Sequence, residues 1–504
     1  MRDTSITQTT SFNNLFFDSV QIEQFLNSNA EFKPYEDQFL DFYKERNYQY
    51  AWFDSKGIAE QSYNFLNLLN SAVADLQDSS LYNPKLTELY ELAVNDTLHK
   101  ESPEKLLNTE LLFTGQFFAY AEKVYKGSDI DAADLGWFIP RKKLNLSALL
   151  DSSIKSKATD IEIYAAQNPQ YKKLQEQLAI YNEKAKTTST DTIPFIKKPL
   201  KKGDSSDIIP LIKKRLWVLG DASTLDSSKH FDSLTIESVK KFQKRLGLSI
   251  DGAVGNKMIE ELNVSLQWRI RQILVNMERL RWMPPSKDSN YILVNIPEYR
   301  LHVFDSGRTI KDMNVIVGKA ANRSAIFTGN LKFVVFSPYW NVPTSIVRKE
   351  IVPAMGRNSN YLQRNHMEIT GRSNGLPIVR QIPGPFNSLG RVKFLFPNSY
   401  DIYLHDTPNH DLFSQSSRSL SHGCIRISDP KWMAQYLLRS DTSWTSNNID
   451  SSMSLTKERW VTLKKPIPVL IVYFTAWVDK SGTLNFRKDI YGHDEQLAAK
   501  LFTK

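Results

Sequence analysis

The sequence predicts a multidomain α+β protein: an N-terminal all-α scaffold, a small three-helix module and a C-terminal β-rich domain. Three observations lead there. The chain has 504 residues, well beyond one ordinary core, and about 150 residues per domain suggests roughly three domains. Apolar residues recur at helical spacing through Leu280, and the period becomes two from Tyr291 onward. Runs of Pro, Gly, Ser and Thr interrupt both patterns.

Residues 1–195 read as the helical scaffold. Tyr63, Leu66, Leu69 and Val73 share a helix face, as do Leu86, Leu89, Tyr90 and Ala93. The aromatic run Phe42-Tyr43, Tyr48 and Ala51-Trp52-Phe53 is expected to pack in a core where a helix terminates at Gly57. Lys186–Thr192, followed by Pro194, Pro199 and Gly203, breaks every period and reads as a linker. Residues 196–264 then form a compact unit of three short helices, Ile208–Leu219, Leu234–Leu246 and Val254–Leu262. Gly220, Gly247 and Gly252 stand where a helix must stop and the backbone turn. Leu266, Ile270, Ile273, Leu274, Met277 and Leu280 mark one amphipathic helix over 265–285, ended by Pro284-Pro285 and expected to be a rigid connector.

Residues 286–504 are the β-rich domain. Tyr291–Ile296, Arg300–Phe304 and Met313–Val317 read as strands separated by Pro297, Gly307 and Gly318. The apolar run Pro468–Val478 has strand length and β-branched composition, and no run reaches the 18 or so residues of a membrane span. Between two core strands, the Gly- and Pro-rich interval at about 345–397 reads as an inserted lid.

Composition narrows the classes of function. The 64 Lys+Arg against 55 Asp+Glu give a net charge of +9, a modest excess for this length that suits an anionic partner such as a cell-wall polymer. The densest basic run, Lys197–Lys202 followed by Lys213, Lys214 and Arg215, lacks the glycine–aromatic pattern of RNA-binding sheets and the Cys/His spacing of zinc fingers. Nucleic acid is therefore not the expected partner. The first residues, MRDTSITQTTSFNN, are polar and hold no signal-peptide core.

The most informative segment is Ser421-His422-Gly423-Cys424-Ile425-Arg426, which holds the chain's one cysteine. A solitary thiol makes no internal disulfide. Alternation along Cys424–Ile427 would bury both isoleucines and aim Cys424 and Arg426 at the other face. Gly423 permits a tight turn beside the thiol, so the Gly423 and Cys424 amides are expected to face a developing oxyanion. A thiol of pKa about 8.5 needs a neighbouring base to act as nucleophile at neutral pH. His405 shares a strand face with Tyr403, 19 positions ahead of the cysteine, and a hairpin-like return would join the two. His422 is placed to orient the site, and His410 lies on an exposed loop. A metal site from these histidines matches neither the HExxH helix nor a paired Cys/His finger.

Two resemblances add to this reading. Leu216, Leu219-Gly220, Phe231-Asp232, Val239, Phe242-Gln243, Gly247-Leu248, Asp251-Gly252 and Leu262-Asn263 make residues 196–264 similar to the three-helix peptidoglycan-binding module of many cell-wall enzymes; Gln243 and Asp251 are either ligand contacts or caps. The run Ile402–Pro408 with Ser421–Arg426 resembles the signature of the L,D-transpeptidases of bacterial cell walls, specifically the large branch with a helical scaffold and a wall-binding module. Pro338–Pro343, Pro383-Gly384 with Asn387, Leu389-Gly390, Lys393-Phe394, Phe396–Asn398 and Asp489–Gly492 support the match.

The resemblance implies Cys424 as nucleophile, His405 as general base and later acid, and the backbone carbonyl of Asp406 as the third partner. Tyr403, Trp340, Asn341, Arg426 and Asn387 become substrate-side candidates. It further implies peptidoglycan stem peptides and glycan strands as partners, a periplasmic or cell-envelope location, and neither metal nor organic cofactor. The reaction implied is acyl transfer through a thioester, releasing terminal D-alanine and forming a 3→3 cross-link. Hydrolysis, D-amino-acid exchange and protein attachment to the wall share that acyl-enzyme, and a non-catalytic wall-binding scaffold is the remaining alternative. Papain-like and related wall-peptide hydrolases place the cysteine before the histidine, and sortases space Cys and Arg farther apart.

Overall fold

The computed structural model describes residues 14–54, 56–76, 81–94, 102–128, 130–140, 144–157, 169–188, 191–283 and 288–502. Pro284-Pro285, the first residues and part of the expected linker lie outside these, as does the side chain of Ala93.

The scaffold is helical around one aromatic core. Its axis is the helix Pro103–Ala121, started by Ser102 capping the Lys105 N–H. Phe113, Phe117 and Phe118 of that helix pack with Trp52, Phe65 and Phe39 at ring separations of 5.3 Å. The aromatic run at 42–53 is thus core, but Gly57 ends no helix. The preceding helix, Glu36–Glu45, stops where Asn47 and Tyr48 adopt left-handed backbone (φ 52° and 58°), and Gly57 instead closes a two-stranded hairpin of β1 (Phe53–Asp54) and β2 (Gly57–Ile58).

Glu110 is buried at the centre of this core, where its carboxylate accepts from Ala51 N (2.6 Å), Trp52 N (2.9 Å) and Tyr43 Oη (2.8 Å). Burial pushes its pKa up from 4.5 to about 7, against the pull of these donors. A carboxyl raised in the folded state favours folding below its unfolded value, and that contribution is lost as pH climbs from about 4.5 through about 7. The scaffold is therefore expected to melt at a lower temperature at pH 8 than at pH 5, and Glu110→Gln should flatten that difference in a thermal-melt series.

The three-helix module occurs as helices Ile209–Leu219, Ser233–Leu246 and Asn256–Leu262, with Gly220 and Gly247 as left-handed caps. Gln243 and Asp251 are bonded to each other and to the turn rather than capping a helix: Gln243 Nε2 donates to Asp251 Oδ1 (2.7 Å), and its Oε1 accepts from Gly252 N (2.9 Å). The module's core is not its own. Leu174, Leu178 and Tyr181 of helix Pro169–Thr187 complete it, together with Ala476, Val478, Leu484 and Phe486 from far along the chain.

Helix Leu266–Trp282 is the segment expected as a rigid connector. It is buried on nearly every side, and its polar face is buried as well. Arg279 pairs with Asp494 (2.6 Å), Arg269 with Glu261 (2.6 Å), Asn276 donates to Thr475 Oγ1 (2.7 Å), and Glu278 accepts from Ser128 N (2.6 Å). Charges at these positions look solvent-facing in a hydrophobicity pattern, yet each finds a partner on another segment.

The C-terminal domain is built on a nine-stranded sheet. Its strands are β3 (Tyr291–Asn295), β4 (Arg300–Asp305), β5 (Arg308–Gly318), β6 (Thr328–Phe336), β10 (Val392–Leu395), β11 (Leu404–His405), β12 (Ser419–Ser421), β13 (Ile425–Ile427) and β14 (Arg459–Val472). Their order is β12-β5-β13-β11-β10-β6-β14-β3-β4, and a further β5–β4 pairing closes the sheet into a ring. Inward residues alternate along it, as Ile292 and Val294 do on β3.

Two boundaries differ from expectation. Val392 and Phe394, within the predicted lid, are fully buried on β10 between β6 and β11, so the insertion ends before them. Ala132–Ile139, assigned by sequence to the scaffold, packs in the sheet domain's core, with Trp137 bridging to Ile326. The insertion itself is a three-stranded sheet of β7 (Trp340–Asn341), β9 (Leu376–Gln381) and β8 (Met367–Ser373), over short helices and a small core of Val342, Val347, Ile351 and Val379.

Candidate active site

β11 and β13 bring the histidine and cysteine segments side by side. The pairing is parallel, with Leu404 opposite Ile425 and His405 opposite Arg426, rather than the hairpin-like return expected. Residues 406–418 and β12 provide the crossover that parallel strands require. Ile425 and Ile427 are fully buried, while Cys424 and Arg426 are half-buried toward the opposite face.

The Cys424 thiol lies 3.5 Å from the carbonyl of Asp401, which a left-handed backbone (φ 54°) turns toward it. Burial pushes the thiol pKa up, and hydrogen bonding from Tyr403 opposes this. His405 is buried, and its Nδ1–H donates to the Asp406 carbonyl at 2.5 Å. That bond puts the proton on Nδ1 and leaves Nε2 as the basic nitrogen. Desolvation, then the nearby Arg426 charge, pull the imidazole pKa down to about 3. The resting pair is thus a neutral thiol and a neutral imidazole. The Tyr403 ring meets His405 edge-on at 5.7 Å.

Asp406 is held from its other end. Its carboxylate accepts from Arg391 N (2.8 Å), Thr407 N (2.7 Å) and His410 Nε2 (3.1 Å). Gly390 makes this approach possible: its φ is +62°, and a Cβ there would meet the Asp406 carboxyl carbon at 2.4 Å, below any real contact. Gly390→Ala should therefore displace Asp406 and the His405 it orients, lowering turnover by about 100-fold and stability by roughly 2 kcal/mol. Kinetics and thermal melts of the variant check both figures.

The turn before the cysteine is tied down by a chain of hydrogen bonds. Gly423 has φ +122°. Its N–H donates to Ser421 Oγ (3.2 Å), and Ser421 Oγ donates to Cys424 O (2.6 Å). The Gly423 amide is therefore engaged in the turn and is not an oxyanion donor, contrary to expectation; the Cys424 amide is outside this chain. Ser324 Oγ donates to Gly423 O (2.6 Å), Tyr491 Oη donates to Gly318 O (2.7 Å), and Ser324 N donates to Tyr491 Oη (3.3 Å). Ser324 and Tyr491 support the loop from positions that strand patterning gave no reason to single out.

The substrate-side candidates divide. Tyr403 and Arg426 border Cys424, and Arg426 Nε is buried without a partner. Trp340 and Asn341 lie on β7 at the root of the insertion, opposite Gln381 and Arg380, and Trp340 packs on the insertion's own core. Asn387 is a correction. It is buried, its amide donates to Pro338 O (3.0 Å) and Ile382 O (2.9 Å), and its Oδ1 accepts from Leu389 N (2.8 Å), so it pins the chain and has no face for a ligand. His422 is half-exposed and turns to Glu350 (3.1 Å) on the insertion. Asn398, which patterning left without a role, clasps the loop under the thiol: its Oδ1 accepts from Tyr400 N (2.9 Å) and Ile402 N (3.2 Å). Among the described residues no group of three or more His, Cys, Asp or Glu is arranged to hold a metal ion.

A helical scaffold, a three-helix module and a closed sheet with paired Cys and His segments define a multidomain α+β protein with a candidate Cys–His site. Comparison with known proteins makes this particular. Residues 289–455 match the L,D-transpeptidase catalytic domain, 37–178 a scaffold domain, and 205–262 the family described as "Putative peptidoglycan binding domain". Residues 289–455 are thus similar to an L,D-transpeptidase catalytic domain, and the segments before them to a scaffold domain and a peptidoglycan-binding domain. A Haemophilus influenzae protein named "Putative L,D-transpeptidase" is 32% identical over 243 residues, covering 45% of this chain and 49% of that protein. The chain spans about half the length of this curated relative. Among solved structures, a Stackebrandtia nassauensis L,D-transpeptidase is 16% identical with a TM-score of 0.21, covering 56% of this chain and 97% of that one. A Mycobacterium smegmatis L,D-transpeptidase is 13% identical with a TM-score of 0.21, covering 36% and 58%.

Proposed function

We propose that this protein is a peptidoglycan L,D-transpeptidase of the cell envelope, in the periplasm, that forms 3→3 cross-links with Cys424 as its nucleophile. The observation that carries the reading is the His405 Nδ1–H bond to the Asp406 carbonyl, on a strand paired with the cysteine segment. It fixes the tautomer a general base needs, with Nε2 as the nitrogen that takes the thiol proton in this reading.

In the proposed cycle, Nε2 of His405 accepts the Cys424 proton as sulfur attacks the carbonyl of the third stem residue. The C–N bond to terminal D-alanine breaks, and His405 returns the proton to the leaving amine. An acceptor amine then attacks the thioester, loses a proton to His405, and the thiol is regenerated. The Cys424 amide donates to the oxyanion, Arg426 pairs with a substrate carboxylate, and Tyr403, Trp340 and Asn341 line the approach. The insertion around Glu350 closes over donor and acceptor as a lid. The module matched at 205–262 supports a wall substrate.

The test is incubation with disaccharide-tetrapeptide muropeptides and mass analysis of products. Release of D-alanine with dimer formation supports cross-linking, whereas release without dimers would assign hydrolysis and overturn the transfer step.

A further inference from the structure

The chain opens a cavity of about 550 Å3 along the Ala132–Ile139 segment, with Tyr400 of the sheet domain on its wall. Its lining includes Asp131, Trp137, Phe138 and Tyr400. Phe138 and Tyr400 remain exposed, at 41% and 37%, although their rings are in contact at 4.9 Å. Two touching aromatic rings left open at a cavity wall are an unusual use of apolar surface.

The platform is rigid. Phe138 N donates to Ile326 O (2.7 Å), Trp137 packs edge-on against Trp282 (5.6 Å), and Phe327 backs Tyr400 at 4.9 Å. Asn398 fixes the backbone of Tyr400. Tyr400 ties the cavity wall to the thiol through the chain: Asp401, the next residue, holds its carbonyl 3.5 Å from Sγ. Standard bond lengths then put the Tyr400 Cα at most about 10 Å from the sulfur.

We propose that this cavity is a subsite for an N-acetylated amino sugar of the glycan strand, stacked on Phe138 and Tyr400; it rests on the transpeptidase reading above. Three arguments select a sugar. The π faces of the two rings attract the electropositive C–H face of a pyranose. Asp131 has Oδ1 on the Ala133 N–H (2.9 Å) and retains acceptor capacity for hydroxyl donors at the rim. Three stem residues, extended, span about 10 Å, so a stem whose third carbonyl reaches Sγ places its sugar at the platform. The subsite thereby reads the glycan end of the donor while Cys424 acts on the peptide end.

The test compares two donors, a disaccharide-tetrapeptide and the free tetrapeptide, across Phe138→Ala, Tyr400→Ala and Phe138→Trp. The kcat/KM ratio of the sugar-bearing donor to the free peptide should fall about tenfold in both alanine variants, through KM, and Phe138→Trp should retain it. Equal losses on both donors, or none on either, would overturn the subsite. If the wild type turns over neither donor, the transpeptidase reading fails by itself. The subsite is then judged by saturation-transfer NMR with the stemless disaccharide on Cys424→Ala protein: signal lost on adding Phe138→Ala upholds it, and signal unchanged refutes it.

Discussion

Cys424→Ala is expected to abolish the proposed D-alanine release and dimer formation, with a loss of at least about four orders of magnitude. Removing the nucleophile removes the covalent route, and what persists is substrate positioning alone. The site itself should survive the change. Cys424 is half-buried, its side chain meets the Asp401 carbonyl and Tyr403, and the turn before it is held by Ser421, Ser324 and Tyr491 rather than by sulfur. The variant should therefore retain its circular dichroism and melting temperature while giving no covalent adduct with a thiol-directed acylating agent in whole-protein mass spectra. Turnover persisting in this variant would remove Cys424 from the mechanism.

His405→Gln is the second large effect, costing about 10² to 10⁴ in kcat, the range of general acid–base catalysis. The pH profile is more telling than the loss. Because burial and Arg426 hold the imidazole down to about 3, it stays neutral and basic through the physiological range. The free enzyme's kcat/KM should then show no acid limb near the usual imidazole value of about 6.5. Alkylation of Cys424 by iodoacetamide in the resting protein should still be rising above about pH 8.5, since burial raises the thiol. An acid limb at 6.5, or alkylation that levels off at neutral pH, would instead indicate a preformed thiolate–imidazolium pair and contradict the neutral resting state.

Much of this site was legible because strands alternate. Ile425 and Ile427 had to face a core, which left Cys424 and Arg426 on the open side, and the same logic set Tyr403 with His405. Asp406 could be placed beside the histidine by adjacency, but its grip from Arg391, Thr407 and His410 depends on which chains meet there. Asn387 illustrates the opposite failure. A polar residue in a Gly/Pro-rich stretch looks like a ligand contact, and only the fold reveals that three backbone groups already occupy its amide. The Gly423 amide was misjudged for the same reason, since its acceptor is a serine hydroxyl two residues back.

At the level of domains, periodicity located the helices and strands but not their allegiance. Helix Pro169–Thr187 belongs to the module's core, Ala132–Ile139 to the sheet's, and both are contiguous in sequence with the scaffold. Such exchanges come from tertiary burial, which a local pattern does not encode. The hairpin of β15 (Ala476–Val478) and β16 (Leu484–Phe486), lying in the C-terminal region yet packed on the module, is the same phenomenon in reverse.

The helix Leu266–Trp282 ties these exchanges together, and its burial changes how the whole protein meets its substrate. A module on a loose tether would hold the catalytic centre near the wall by raising its local concentration, at variable reach. Here Arg269, Asn276 and Arg279 anchor the intervening helix to the module and to the C-terminal segment at once. The interval between the module and Cys424 is therefore a built-in length, and under the proposed function the protein would act as a caliper rather than a leash.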